Sequence, residues 1–213
     1  MIGWSRLARG GRLVYAGAET SGRLAAVDRE AGVIHIRELA VGRDGAVVAV
    51  SAGDSTPYVL GALEAAAEAG ALRVGVVRAR GPEVGRRVDH DVTVVVGPEV
   101  SAGSTRLKAG TAQKLVLNTI STVTMVRLGR TYGGLMIGVV QDKAKLRARV
   151  RRSLALASGA GGEQIESALA AAGGDAKVAL VSQLAGIAPE EARNRLDRAG
   201  GSVRVAVGSG RDG

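Results

Sequence analysis

The sequence predicts an α/β protein, a sandwich around a mostly parallel sheet, followed by a small helical domain. Two observations predict it. Over the first part of the 213-residue chain, short apolar runs alternate with helical patterns, which is the spacing of βαβ units. From Asp142 onward no strand-like run of comparable length occurs. Short helical segments there are separated by glycine-rich breaks at Gly159 to Gly162, Gly173-Gly174 and Gly200-Gly201.

Arg12 to Ala16 reads as a short buried strand, and Gly17 to Gly22 as a loop opening a helix through Leu24 to Val27. Val33 to Leu39 and Ala46 to Ser51 follow, both apolar and rich in β-branched residues, the composition of strands. Pro57 to Ala69 is helical, with Pro57 suited to a first turn and Gly70 to a C-terminal stop. Next come a strand from Leu72 to Val77, a loop through Gly81-Pro82, a strand from Asp91 to Val96 and a long helix from Thr105 to about Leu128. Ligands of such sheets bind at the carboxyl ends of the strands. In the later segment, Pro189-Glu190-Glu191 reads as a helix start whose acidic first turn complements the helix dipole. Two or three helices there would bury Ile165, Leu169, Val178, Leu180, Leu184 and Leu196. Gly208 to Gly213 reads as a frayed tail.

Apolar residues make up 46% of the chain, enough to build a core and to exclude general disorder. There is no cysteine, which excludes a disulfide framework, a thiolate nucleophile and a cysteine metal site, and fits a reducing cytoplasm. The start Met1 to Arg6 lacks the apolar core of a signal peptide, and charged or glycine residues interrupt every apolar stretch before it reaches membrane-spanning length. A soluble, cytoplasmic protein without membrane contact is expected. The formal net charge of +9 raises nucleic acid as a partner, with Lys143 to Arg152 the densest basic stretch. One Trp, three Tyr and no Phe leave little surface for base stacking, so nucleic acid is not the expected partner. His35 and His90 stand alone, and His90 between Asp89 and Asp91 reads as strand-edge polarity rather than a metal site. No metal and no cofactor are expected.

Residues 97 to 114, Gly-Pro-Glu-Val-Ser-Ala-Gly-Ser-Thr-Arg-Leu-Lys-Ala-Gly-Thr-Ala-Gln-Lys, are the most specific stretch of the chain. An apolar run gives way to a helical pattern here, so backbone N–H groups at a helix N-terminus face an anion. Glu99 and Ser104 or Thr105 would sit at the mouth of the turn, with Arg106, Lys108 and Lys114 behind. The set suits a phosphorylated polyol. Glu99 either bonds sugar hydroxyls, or acts as a base near the anomeric end, or caps the helix that follows. Two further loops supply candidates. Thr20 and Ser21 follow the first strand at a helix start, where hydroxyls cap or bind. Ser51, Ser55 and Thr56 lie in a strand-to-helix turn and are the phosphate candidates. Asp54 in the same turn repels a phosphate unless it turns outward.

The 97–114 run resembles the signature shared by N-acetylmuramic acid 6-phosphate etherases and the glucokinase regulatory protein, of the sugar isomerase (SIS) domain group. Gly17-Ala18-Glu19-Thr20-Ser21-Gly22-Arg23-Leu24 is similar to the G-A-G-T-S-G-R-L loop of that family, Thr56-Pro57-Tyr58-Val59 to its T-P-Y-V, and Leu115 to Met125 to its L-V-L-N-x-I-S-T-x-x-M helix. Lys145-Leu146, Ala179-Leu180, and Leu184-Ala185-Gly186 followed by Pro189 to Leu196 fall where etherase-like chains carry a small ubiquitin-associated-like helical domain. The resemblance implies a SIS-type three-layer sandwich over residues 1–140, a connecting helix over 141–158, the small helical domain over 159–207 and a tail over 208–213. It also implies a phosphorylated amino sugar as ligand and a homodimer with sites completed across its interface; Lys108 and Lys145 are further phosphate candidates, against the ordinary role of helix lysines as solvated surface. The reaction would be lyase chemistry. A proton is abstracted beside the ring-opened aldehyde, D-lactate is expelled and water is added to give N-acetylglucosamine 6-phosphate, with a general base and acid but no metal.

Four departures from the family pattern bear on that chemistry. One family glutamate comes three residues after an aspartate corresponding to Asp28, and here that position is Ala31. Glu30 stands one residue earlier, and on a helix one step rotates a side chain by about 100°. The second glutamate of the family falls in a stretch that this chain lacks between Glu30 and Val47, replaced by a short link with Glu38 and Asp44. Glu19 replaces the central glycine of the first loop, and Ser55 occupies the arginine position of an S-G-R-T turn. Three readings follow. The protein is a shortened etherase using Glu30, Glu19 or Glu38, or a non-catalytic sugar-phosphate-binding regulator, or, least favoured, a basic nucleic-acid-associated regulator.

Overall fold

Buried side chains on both faces of one strand organise the first part of the protein. The computed structural model describes residues 4–17, 29–52, 56–78 and 82–208. The chain divides into two compact units, Met1–Ser121 and Thr122–Gly213.

In the first unit, β1 (Leu13–Gly17), β2 (Ala46–Ser51), β3 (Leu72–Val77) and β4 (His90–Thr93) form a parallel sheet in that order. The register pairs Tyr15 with Val48, Val48 with Val74, and Val76 with Val92. Val47 and Ala49 face one side, in clusters with residues of α2 (Arg29–Glu38) and α3 (Pro57–Glu68). Val48, Val74 and Val76 face the other, against Ile120, Val116 and Leu117 of α5 (Lys108–Arg127). Helix, sheet and helix layers make the three-layer α/β sandwich that the sequence predicts. Two short helices, α1 (Trp4–Ala8) and α4 (Pro82–Gly85), complete the described elements of this unit apart from the part of α5 beyond Ser121.

α3 carries the signals that the sequence advertised. Pro57 sits in its first turn, and Gly70 beyond its end has φ +66°, a left-handed conformation that glycine adopts at little cost.

Three expectations are corrected. Val33 to Leu39 is not a strand, because it lies in and just beyond α2. Gly32 and Ile36, one turn apart, are its buried face. A Cβ added at Gly32 would collide with the Tyr58 carbonyl oxygen, and one at Gly61 with the Arg29 carbonyl oxygen, so two glycines let the helix backbones touch. Arg29–Glu64 at 2.7 Å and Arg37–Glu68 at 2.9 Å bridge the same pair. The last strand ends at Thr93 rather than Val96, because its partner β3 ends at Val77 and only the Val94 N–H still donates to the Val77 carbonyl, at 2.9 Å. The long helix begins at Lys108 rather than Thr105, at a cap described below.

In the second unit, β5 (Thr131–Tyr132) and β6 (Leu135–Met136) pair antiparallel. The turn between them is Gly133-Gly134, with φ +55° and +80°, the left-handed pair that two-residue hairpins require. Helices α6 (Ala144–Ser158), α7 (Gly162–Ala171), α8 (Ala176–Ala185), α9 (Pro189–Arg198) and α10 (Val203–Gly208) follow. Ile165, Leu169, Val178, Leu180 and Leu196 are buried in one core with Val150 and Leu154 of α6, and Leu184 packs partly buried against it. The Asp175 carboxylate caps α8 by accepting from the Lys177 and Val178 N–H groups at 2.9 and 3.2 Å. Lys177 Nζ donates to the carbonyls of Gly129 at 3.2 Å and Gly201 at 2.6 Å, and burial pushes its pKa down.

The expected helix Leu24 to Val27 lies outside the described residues, as do residues 209–213 of the expected tail, whose first residue, Gly208, instead ends α10. Among the described residues no helix is long and apolar enough to cross a membrane.

Candidate functional site at the carboxyl edge of the sheet

Parallel register brings the carboxyl ends of the strands to one edge, and the chemistry-bearing loops of the first unit leave from it. At the end of β2, Ser51 is only 1% exposed. Its Oγ and Thr56 Oγ1 share a hydrogen bond of 2.7 Å. Thr56 occupies the N-cap position of α3 but makes no side-chain cap bond, because its hydroxyl is turned to Ser51. The two predicted hydroxyls therefore meet across the turn, Ser51 beneath and Thr56 closer to the surface. Ser55, Asp54, Glu19, Thr20 and Ser21 lie outside the described residues.

At the end of β3, Arg78 donates from Nε to the Ala52 carbonyl oxygen at 3.1 Å. This residue escaped the sequence reading, since an arginine just past a strand ordinarily signals solvated surface. Only the β2–β3 register reveals that it reaches the neighbouring turn.

Beyond β4 the chain runs through Gly97, at φ +68°, to Glu99. The two carboxylate oxygens of Glu99 accept the backbone N–H groups of Lys108 and Ala109, each at 3.0 Å. These are the first N–H groups of α5, and Glu99 is therefore the helix cap. The Ala109 and Lys108 N–H groups are the main causes that hold its carboxyl below the usual range, against desolvation and with lesser help from the charges of Arg78 and Lys108. Lys108 Nζ donates to the Pro98 carbonyl at 2.7 Å. Ser104 accepts weakly from the Arg106 N–H at 3.4 Å, and Thr105, whose carbonyl accepts from Gly110 N–H, is half-buried before the helix. Farther along α5, Gln113 is 8% exposed and its Nε2 has no hydrogen-bond partner.

Glu30 is exposed in the first turn of α2, one position before the half-buried Ala31. Asp44 is bound by Arg9 at 2.6 Å. His35 Nδ1 lies 3.2 Å from the Tyr58 hydroxyl, with the two rings edge to face. Asp89 pairs with Arg73 at 2.8 Å, and the Arg73 guanidinium bond is the main cause that lowers its pKa. Lys145 belongs to the second unit, exposed on α6. Among the described residues no three His, Cys, Asp or Glu side chains are grouped to hold a metal ion.

A three-layer parallel sheet with a hydroxyl turn and a capped helix at its carboxyl edge defines an open-sheet α/β protein, the class that binds ligands at that edge. No family model matches the chain. N-acetylmuramic acid 6-phosphate etherase of Rubrobacter xylanophilus is 48% identical over 97% of this chain and 80% of its own length. The etherases of Streptomyces avermitilis and Mycolicibacterium smegmatis are 43% and 41% identical, over 95% and 96% of this chain and 76% and 80% of theirs. The chain belongs to the N-acetylmuramic acid 6-phosphate etherase family. The Rubrobacter match runs over 242 residues, 29 more than the 213 present here, so part of the relative's matched span has no counterpart. Among solved structures, the Vibrio vulnificus NanR protein complexed with ManNAc-6P aligns with a TM-score of 0.43 and 11% identity over 72% of this chain and 59% of that one, a likeness too remote to bear on ligand or mechanism.

Proposed function

We propose that the protein binds a phosphorylated amino sugar of the N-acetylmuramic acid 6-phosphate type at the carboxyl edge of its sheet, and that lactate release from this ligand is very slow or absent. The carrying observation is the Ser51–Thr56 hydroxyl pair at the mouth of α3, in a chain of the etherase family. The N-terminal end of a helix attracts anions, and Thr56 leaves that end uncapped by its side chain. Ser55 and Thr56 take the phosphate, with Ser51 orienting Thr56. Thr20, Ser21, Ser104, Thr105, Glu99 and Lys108 are the further contacts this reading assigns.

Slow chemistry follows from the carboxylates. A general base and a general acid typically each contribute about 10²–10⁴-fold. Ala31 has no group to transfer a proton, Asp44 is engaged with Arg9, and Glu99 serves as the cap of α5. Glu30, Glu19 and Glu38 are the carboxylates that an active protein would recruit in their place. A working etherase is the second reading, favoured by the names of the relatives.

The binding site falls in residues 1–140 and the small helical domain in 159–207, joined by the helix over 141–158. We assign a cytoplasmic homodimer, in which the exposed Leu115, Val123 and Val126 of α5 supply apolar surface to the partner copy.

Calorimetry with N-acetylglucosamine 6-phosphate and with N-acetylglucosamine tests the binding reading. The phosphorylated sugar is expected to bind far more tightly, and Ser55→Ala with Thr56→Ala to abolish the difference. Equal affinities in the unmodified protein would remove the phosphate turn from the account.

A further inference from the structure

Three arginines from separate stretches of the chain line one cleft of about 180 Å³ beside α3. Arg29 opens α2, Arg73 stands at the amino end of β3 and Arg87 follows α4, while Leu63, Glu64 and Ala67 of α3 complete the lining. Two of the guanidiniums are held from one side. Arg29 donates from Nε and one terminal nitrogen to Glu64 at 2.9 and 2.7 Å, and Arg73 does the same to Asp89 at 3.3 and 2.8 Å. Arg87 is the least engaged of the three. Its side-chain bond to Glu83 is long, at 3.4 Å, and its Nε is enclosed with no hydrogen-bond partner among the described residues. An enclosed N–H of a charged group without an acceptor costs free energy. The lining carries one carboxylate, Glu64, already bound to Arg29, whereas Asp89 and Glu83 hold their arginines from outside it.

We propose that this cleft is a second anion site of the protein, one that takes a phosphate group and is separate from the carboxyl edge of the sheet. Arginines that line one cleft from three stretches of chain offer donors in several directions, which suits the tetrahedral spread of phosphate oxygens. A planar carboxylate matches the fork of a single arginine. Arg87 is the residue on which binding depends most. A bond of 3.4 Å holds its guanidinium loosely, and a turn toward the cleft gives its enclosed N–H an acceptor. Bound phosphate joins α2, α3, β3 and the segment after α4. The α3 wall of the cleft, at Glu64 and Ala67, lies two to three helical turns from Thr56, about 12–16 Å along the axis, so the site is distinct from the β2–α3 turn and does not rest on the sugar-phosphate reading.

The test is calorimetric titration of the full chain with inorganic phosphate, and separately with acetate, at constant ionic strength. It is run in the Thr56→Ala background, so that the β2–α3 turn contributes little. Phosphate is expected to bind, and to bind more tightly than acetate. Hydrogen bonds between charged groups are the strong ones, so adding Arg87→Gln should weaken phosphate by about tenfold or more. Arg86→Gln removes the same charge from the exposed neighbour outside the lining and should leave the affinity nearly unchanged. No phosphate binding in the Thr56→Ala background, equal binding of acetate, or equal effects of Arg86→Gln and Arg87→Gln overturns the inference. Should Arg87→Gln not fold, Arg87→Lys decides, because a point charge in place of the fork must still weaken phosphate more than Arg86→Gln does.

Discussion

Glu99 starts α5 by lending each carboxylate oxygen to one backbone N–H, and Asp89 fastens β4 to Arg73 on β3. Both carboxyls are held below their ordinary pKa. A carboxyl depressed in the folded state contributes stability that is fully present above its unfolded pKa and is lost as pH falls through the folded one. Stability is therefore expected to decline as pH drops below the ordinary carboxylate range, and Asp89→Asn should flatten that acid limb. Urea denaturation at a series of pH values checks it, and an unchanged slope in the variant would contradict the assignment. Glu99 was legible in the sequence because a carboxylate ahead of a helix start is either a cap or a contact, and the structure fills the first role. Arg78 was not legible. Its partner Ala52 is distant along the chain, and only parallel pairing of β2 with β3 makes the two neighbours.

At the scale of elements, the α2–α3 crossing depends on two absent side chains. Gly→Ala within a helix ordinarily gains up to about 1 kcal/mol from propensity, while forcing a methyl into a closed contact costs about 1–3 kcal/mol. At Gly32 the obstacle is the Tyr58 backbone, which a rotamer change cannot relieve, so the loss wins. Gly32→Ala is expected to destabilise by about 1–2 kcal/mol. Gly110→Ala in α5, where a new Cβ would meet only ordinary contact with the Thr105 carbonyl at 3.5 Å, should be neutral or stabilising. Chemical denaturation of both variants decides the point, and a stabilised Gly32→Ala would refute the close crossing. The same crossing explains why Val33 to Leu39 reads as a strand and folds as a helix. β-branched residues fill a buried strand and a buried helix alike, and the deciding contact, Gly32 against Tyr58, is tertiary. Pro57 and Gly70 were legible because proline at a helix start and glycine beyond its end act locally. The β5–β6 hairpin, built on Gly133-Gly134, escaped the sequence reading because two-residue strands are too short to show a period.

For the whole molecule, the alternation of strands and helices and the later glycine-separated helices were enough to predict an α/β sandwich and a helical segment, since both follow from periodicity and punctuation. The catalytic capacity is a different matter, because it depends on side chains held at particular distances from a ligand. This chain keeps the family's signature at 97–114 and its Thr56-Pro57-Tyr58-Val59 segment, yet it joins α2 to β2 by residues 39–45 alone. The proposed ligand edge of the sheet is expected to survive such shortening more readily than a paired acid and base. The central claim is accordingly binding without efficient lactate elimination. A coupled lactate assay on N-acetylmuramic acid 6-phosphate, run on the same preparation in which calorimetry shows binding, tests it most directly. Loss of any turnover in Glu30→Gln but not in Glu38→Gln would identify a relocated catalytic carboxylate; the account predicts lactate release orders of magnitude slower than that of the Rubrobacter xylanophilus etherase, and robust turnover would contradict it.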